Sequence, residues 1–124
     1  MTAPIYQLKA DFFKTLGHPA RIRIIEILRD GEASVSELIP QVGLEPSHLS
    51  QQLGVLRRAT LVTARKEGNT VRYSVTDPRL FQLLELAKRI LTSSLEETSH
   101  LLSELGGMDF STPGPKPRKP KQQV

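Results

Sequence analysis

The sequence predicts a mainly α-helical fold closed by one small β-hairpin. Two patterns carry that expectation. Apolar residues recur at three- and four-residue steps through residues 5–56 and again through 78–105, whereas residues 62–75 alternate apolar and polar. At 124 residues the chain fits one domain and can bury a core without a metal or a disulfide.

Ile5, Leu8, Phe12 and Leu16 form one stripe on a first helix. Gly17 interrupts it, and Pro19 opens a second helix, where its missing N–H costs nothing. Ile22, Ile25 and Leu28, with Ile24 beside them, face that helix to the core until Asp30-Gly31 stops it. Ser34-Val35-Ser36-Glu37 reads as a capping box that starts a short third helix. Val35 and Leu38 are expected inside, with the end near Gln41 and Gly43 in the turn. Pro46 starts a fourth helix whose Leu49, Leu53 and Leu56 fall at i, i+4, i+7. Val62, Ala64, Val71, Tyr73 and Val75 then alternate with Thr63, Arg65, Arg72 and Ser74, around a turn at Glu67-Gly68-Asn69. Asp77-Pro78 caps a last helix expected to run to about Leu105.

That helix carries two apolar rows, Leu80, Leu84, Ala87, Leu91, Leu101 and Leu105, and Leu83, Leu86, Ile90 and Leu102. Two rows are more than one side of a small domain covers, so a partner chain is expected. Residues 1–107 are read as one folded domain. Residues 108–124 hold four of the nine prolines and four basic side chains, with almost no apolar residue after Phe110, the composition of a disordered basic tail.

The chain contains no cysteine, which excludes disulfides, thiolate metal sites and cysteine nucleophiles. With no secretory signal and no apolar run of about 20 residues, a soluble cytoplasmic protein without membrane contact is expected. The net charge of +4 is unevenly spread. Residues 1–43 sum to zero, 44–79 to +3, 80–108 to −2 and 109–124 to +3. A basic middle suits a phosphate partner.

Helix, helix, short helix, tight turn, helix, hairpin, helix is the order of a winged helix-turn-helix, in which the second helix of the pair enters the major groove. The exposed start of the fourth helix carries Ser47, His48, Ser50 and Gln51, and Gln51 has the bidentate geometry that adenine needs. Arg57, Arg58, Arg65, Lys66 and Arg72, with Asn69 at the hairpin tip, are the candidate backbone contacts. Any one serine or glutamine fits an ordinary solvated surface equally well. Their joint placement before a basic hairpin is what points to double-stranded DNA.

Three motifs then resemble one family. Leu16-Gly17-His18-Pro19-Ala20-Arg21-Ile22-Arg23-Ile24 is similar to the entry of the second helix in ArsR/SmtB-type winged-helix repressors. Ser47 through Leu56, SHLSQQLGVL, resembles their recognition helix. Leu61-Val62, Arg65, Glu67-Gly68-Asn69, Val71 and Tyr73 resemble their wing. The likeness covers roughly residues 5–105. It implies a homodimer built from first and last helices, with Ile5, Leu8, Phe12, Leu84, Leu91, Leu101 and Leu105 at the interface. It further implies repression at an inverted-repeat operator, relieved by an inducer that the sequence does not name, with Ser47, Ser50 and Gln51 reading bases.

The departures are as informative. Where many members carry a cysteine pair this chain has Ser34-Val35-Ser36-Glu37, and the last-helix zinc pattern is broken at Arg79 and Ser103. No metal and no cofactor is therefore expected, although His100 with Glu96, Glu97 and Glu104 leaves a metal-responsive alternative. His18 stands where the family usually has Asp as helix cap, and Thr60 where a Gly usually ends the recognition helix. A β-branched residue there implies a rearranged or strained helix end.

Catalysis is not expected: His18, His48 and His100 lie on separate elements, and no nucleophile elbow, phosphate loop or H-E-x-x-H motif occurs. Single-strand or RNA binding is disfavoured because Phe12, Phe13 and Tyr73, half of the six aromatics, fall on stripes that read as core. A winged helix used only for protein contacts is disfavoured by the basic wing.

Overall fold

The structure, a computed structural model, describes residues 4–105. Its elements are α1 (Pro4–Leu16), α2 (Pro19–Ile27) with a 3-10 turn at Leu28–Asp30, β1 (Ala33–Ser34) and α3 (Val35–Val42). They continue as α4 (Pro46–Arg58), β2 (Val62–Glu67), β3 (Thr70–Val75) and α5 (Arg79–Glu104). One compact unit ends at Leu84; Glu85 begins a second, whose described part is the rest of α5 with Leu105. The expected tail lies outside the described residues. Among those described, no helix is long and apolar enough to cross a membrane.

The core of the first unit is built from the predicted stripes. Ile24, Ile25, Leu38, Leu49, Leu53, Leu56 and Val62 are almost completely removed from solvent, with Leu16, Leu28, Ala33 and Leu80 closing the edges. Each fully buried aliphatic side chain of this size is worth about 1.5–3 kcal/mol, so this cluster is what α2, α3 and α4 fold around. Val35 is only half-buried.

α3 begins with the predicted capping box: Glu37 N–H donates to Ser34 Oγ at 3.3 Å and Ser34 N–H to Glu37 Oε1 at 2.9 Å. Gly43, at φ 79°, ends it and leaves Leu44-Glu45 to complete a three-residue turn into α4. His18 caps α2, its Nδ1 accepting from Ala20 N–H at 3.2 Å.

The hairpin has the expected turn, with Gly68 alone at positive φ (63°), and pairs Val62 with Val75 through to Glu67 with Thr70. A third strand was not legible in the sequence. β1 is two residues long, too short to show a period, and pairs Ala33 with Tyr73 and Ser34 with Arg72, giving the sheet order β1-β3-β2. Two core expectations need correction. Phe13 is 56% exposed, its ring edge against Phe12 5.1 Å away, because it falls one residue off the stripe that Phe12 and Leu16 bury. Val71 is 37% exposed, because it lies at the hairpin end where the core no longer reaches.

Thr60 is the one non-glycine residue at positive φ among those described, at 59°. Around it the chain closes a Schellman-type cap, with Thr60 N–H donating to Arg57 C=O and Leu61 N–H to Leu56 C=O, both at 2.9 Å. A β-branched side chain in this region costs about 1–2 kcal/mol, and glycine would relieve it at some cost in unfolded-state entropy. Thr60→Gly should therefore stabilise the fold by about 0.5–1 kcal/mol, read as a higher urea midpoint with an unchanged slope. A lower midpoint would contradict the strain.

Candidate nucleic-acid interface

What α4 leaves outside follows from what it buries. Leu49, Leu53 and Leu56 take one side with Gln52, which is only 6% exposed. At 100° per residue, Ser47, Gln51, Gly54 and Arg58 then share the opposite stripe, with Ser50 and Arg57 flanking it on one side and His48 on the other. Ser47, His48, Ser50, Gln51, Arg57 and Arg58 are all exposed, as predicted. Gly54 has a use on this stripe: a side chain there would begin 3.3 Å from the guanidinium of Arg58, which folds back over it.

The start of α4 is open as well. Glu45 precedes Pro46 without a side-chain cap, so the N–H groups of the first turn have no side-chain acceptor from it. Such an end favours an anion.

Gln52 is the residue that the periodicity did not single out. Its Oε1 accepts from Arg21 Nε at 2.8 Å, and the same guanidinium donates to the carbonyl of Thr15 at 3.1 Å. One arginine of α2 thus ties the end of α1 to the buried side of α4. The signal was in the sequence only as two polar residues on inward-facing stripes.

The wing separates its cations by face. Lys66 shares the face of Val62, Ala64, Val71, Tyr73 and Val75, at its exposed end. Arg65 and Arg72 are direct cross-strand partners on the other face. Two like charges so placed repel, and carboxylates offset them. Arg65 grips Glu32 with two hydrogen bonds of 2.6 and 3.1 Å. Arg72 donates to Glu37 Oε1 at 3.2 Å and to the Glu32 carbonyl at 3.3 Å. Both also approach Glu67, at 3.7 and 3.9 Å. The sequence places Arg72 with the open phosphate contacts; the structure instead holds it half-buried on carboxylates. Arg57, Arg58 and Lys66 form no ion pair among the described residues, and Asn69 is exposed at the turn.

Residues 18–64 match the family described as "Bacterial regulatory protein, arsR family". The chain is 52% identical over 103 residues to Rv0081 of Mycobacterium tuberculosis, an "uncharacterized HTH-type transcriptional regulator", covering 82% of this chain and 90% of that one. The chain belongs to the ArsR family of bacterial regulatory proteins. The crystal structure of Rv0081 superimposes with a TM-score of 0.73, covering 79% of this chain and 99% of the other. A solution structure of a homodimeric winged helix-turn-helix DNA-binding domain from Mycobacterium bovis is 26% identical, with a TM-score of 0.67 over 75% and 86% of the two chains. The "biofilm growth-associated repressor" of Xylella fastidiosa is 41% identical over 75 residues, 60% of this chain and 66% of that one. This ArsR-family chain is thus a winged helix-turn-helix transcriptional regulator, and the family is one of regulators rather than of enzymes.

In α1, Ile5 and Leu8 are 52% and 63% exposed, whereas Phe12 is partly packed on the core. Leu84 is likewise partly packed on the core. In the second unit Leu91, Leu101 and Leu105 are 65%, 57% and 54% exposed. Of the residual His/Glu cluster, His100 Nδ1 lies 3.5 Å from Glu104.

The wing contacts leave a measurable trace. Glu37 titrates below its ordinary 4.5, first because it accepts from the Ser34 N–H and next because Arg72 lies beside it. Its ionised form therefore contributes stability above that ordinary value and loses it as pH falls through the lowered one. Arg72→Gln should raise the Glu37 midpoint while leaving it below 4.5, since the Ser34 N–H remains. Carboxyl-carbon NMR reads this directly; an unmoved midpoint would show that Arg72 is not held there in solution.

Proposed function

We propose that the protein is a homodimeric transcriptional repressor that binds an inverted-repeat operator in double-stranded DNA. One observation carries this reading: burying Leu49, Leu53 and Leu56 turns Ser47, Ser50 and Gln51 outward together on a helix that opens without a cap. In the complex α4 lies in the major groove, where Gln51 pairs with an adenine edge and Ser47 and Ser50 contact bases or phosphates, with His48 alongside. Arg57, Arg58, Lys66, Arg65 and Asn69 meet the backbone and set affinity rather than sequence.

A second copy covers the apolar side chains that α1 exposes and, on the later part of α5, those of Leu91, Leu101 and Leu105. Free in water, a run of aliphatic side chains on one helix face is the mark of an unfilled interface. Phe12 and Leu84 bridge from the core to that contact. A two-fold dimer requires a two-fold site, hence an operator with half-site centres about one helical turn, or a small multiple, apart. The homodimer and the repressor among its relatives support this reading. Residues 1–107 carry both activities, and the basic residues of 108–124 add contacts to flanking phosphates. The site of action is the cytoplasm, where the DNA is.

Selection of bound duplexes from a random pool tests this. The protein should return an inverted repeat, with affinity falling steeply as salt rises because counterions are displaced. Gln51→Ala should cost about 1–3 kcal/mol of discrimination at one base pair per half-site and leave the others unchanged. An asymmetric site, or an unchanged preference in Gln51→Ala, would contradict the assignment.

A further inference from the structure

Arg72 is the wing residue whose surroundings fit a phosphate contact least. Its side chain is 24% exposed against 52% for Arg65. Its guanidinium is committed to the Glu32 carbonyl and to Glu37 Oε1, with the Glu32 carboxylate 3.6 Å and the Glu67 carboxylate 3.9 Å from its Nε. Three carboxylates surround the two guanidiniums, and Arg72, the more buried of the two, cannot offer its Nη2 N–H groups to a phosphate without giving up one of its partners. The oxygen of Glu37 that takes Arg72 is the one that accepts the N–H of Ser34, the N-cap of α3. Ser34 is also the residue that β1 sets opposite Arg72. A single carboxylate therefore joins the start of the helix-turn-helix to the middle strand of the wing.

We infer that Arg72 and Glu37 are a positioning pair, fixing the wing against α3 so that Arg72 serves DNA binding through Glu37 and not by touching phosphate. This rests on the DNA-binding reading above. To reach a phosphate Arg72 would have to abandon both the Glu37 carboxylate and the Glu32 carbonyl. Lys66, Arg57 and Arg58 need no such exchange. The arrangement favours a guanidinium: Nη2 makes both hydrogen bonds while Nε stays 3.6 Å from the Glu32 carboxylate and 3.9 Å from that of Glu67, two positions that one ammonium nitrogen cannot occupy together.

The test measures affinity against salt on a mixed-sequence duplex about three helical turns long, using the full chain and the variants Arg72→Gln, Arg72→Lys, Glu37→Gln, the Arg72→Gln/Glu37→Gln pair and Lys66→Gln. Glutamine at 37 keeps the capping box, so Glu37→Gln should retain its fold, with thermal unfolding as the check. Arg72→Gln, Arg72→Lys and Glu37→Gln should each weaken binding about three- to five-fold, with the wild-type salt slope. The double variant should be no weaker than Arg72→Gln alone, as expected when two residues act as one unit. Lys66→Gln, a phosphate contact, should instead lower the slope by about 0.9. The inference is overturned if Arg72→Gln lowers the slope by that amount while Arg72→Lys binds like the wild type, or if Glu37→Gln leaves affinity unchanged or raises it. Wild-type protein that binds no duplex in a salt-dependent way overturns the DNA-binding reading itself, and this inference with it.

Discussion

Leu49, Leu53 and Leu56 lie four and three residues apart on α4, and burying all three allows that helix only one rotation about its axis. The facing surface is prepared by α2, α3 and β2, whose Ile24, Ile25, Leu38 and Val62 are equally buried. A rotation of one residue would put Ser50 and Arg57, or in the other sense His48, into this apolar cluster at a cost of a few kcal/mol for an unpaired polar group. The Arg21–Gln52 hydrogen bond makes the choice sharper, because it is satisfied at a single rotation and lies at the buried edge of the seam. Everything the helix offers to a ligand is thus decided from inside.

The wing depends on the same helix. Its first strand begins two residues after Thr60, so the positive φ at Thr60 sets the direction in which β2 leaves α4. The cap bonds from Thr60 and Leu61 fix that exit, and Leu61 packs partly on the core. At its other side the sheet is fastened by β1, by the Arg65–Glu32 pair and by Arg72 on Glu37. Singly, such exposed ion pairs contribute about 1 kcal/mol or less. Here their role is to fix an orientation, because each joins residues more than thirty positions apart along the chain.

The parts of this arrangement written in periods of 3.6 and 2 could be read from the sequence. The seam of α4, the capping box at Ser34 and Glu37, the hairpin turn and the anomaly at Thr60 all belong to that group, because each is a local pattern. What stayed illegible depends on long-range pairing. β1 has two residues and no period, and it becomes a strand only when β3 lies beside it. Arg65 and Arg72 look like free cations in a basic stretch, since their carboxylate partners Glu32 and Glu37 lie more than thirty residues earlier. Phe13 reads as core because it neighbours a true core position, and only the fold shows that Phe12 alone takes the inward direction. The residues proposed to face bases were the easiest to place, being what is left once the apolar ones are assigned.

One face of α4, fixed from within by the leucine seam, is the surface proposed to meet DNA. Amide NMR of the labelled protein, titrated with a duplex that it selects, tests this most directly. The largest perturbations should fall at Ser47, Ser50 and Gln51 on α4 and at Lys66 and Asn69 on the wing, with intermolecular contacts from Gln51 to base protons in the major groove. Perturbations concentrated on other elements, with the amides of Ser47, Ser50 and Gln51 unmoved at saturation, would contradict it.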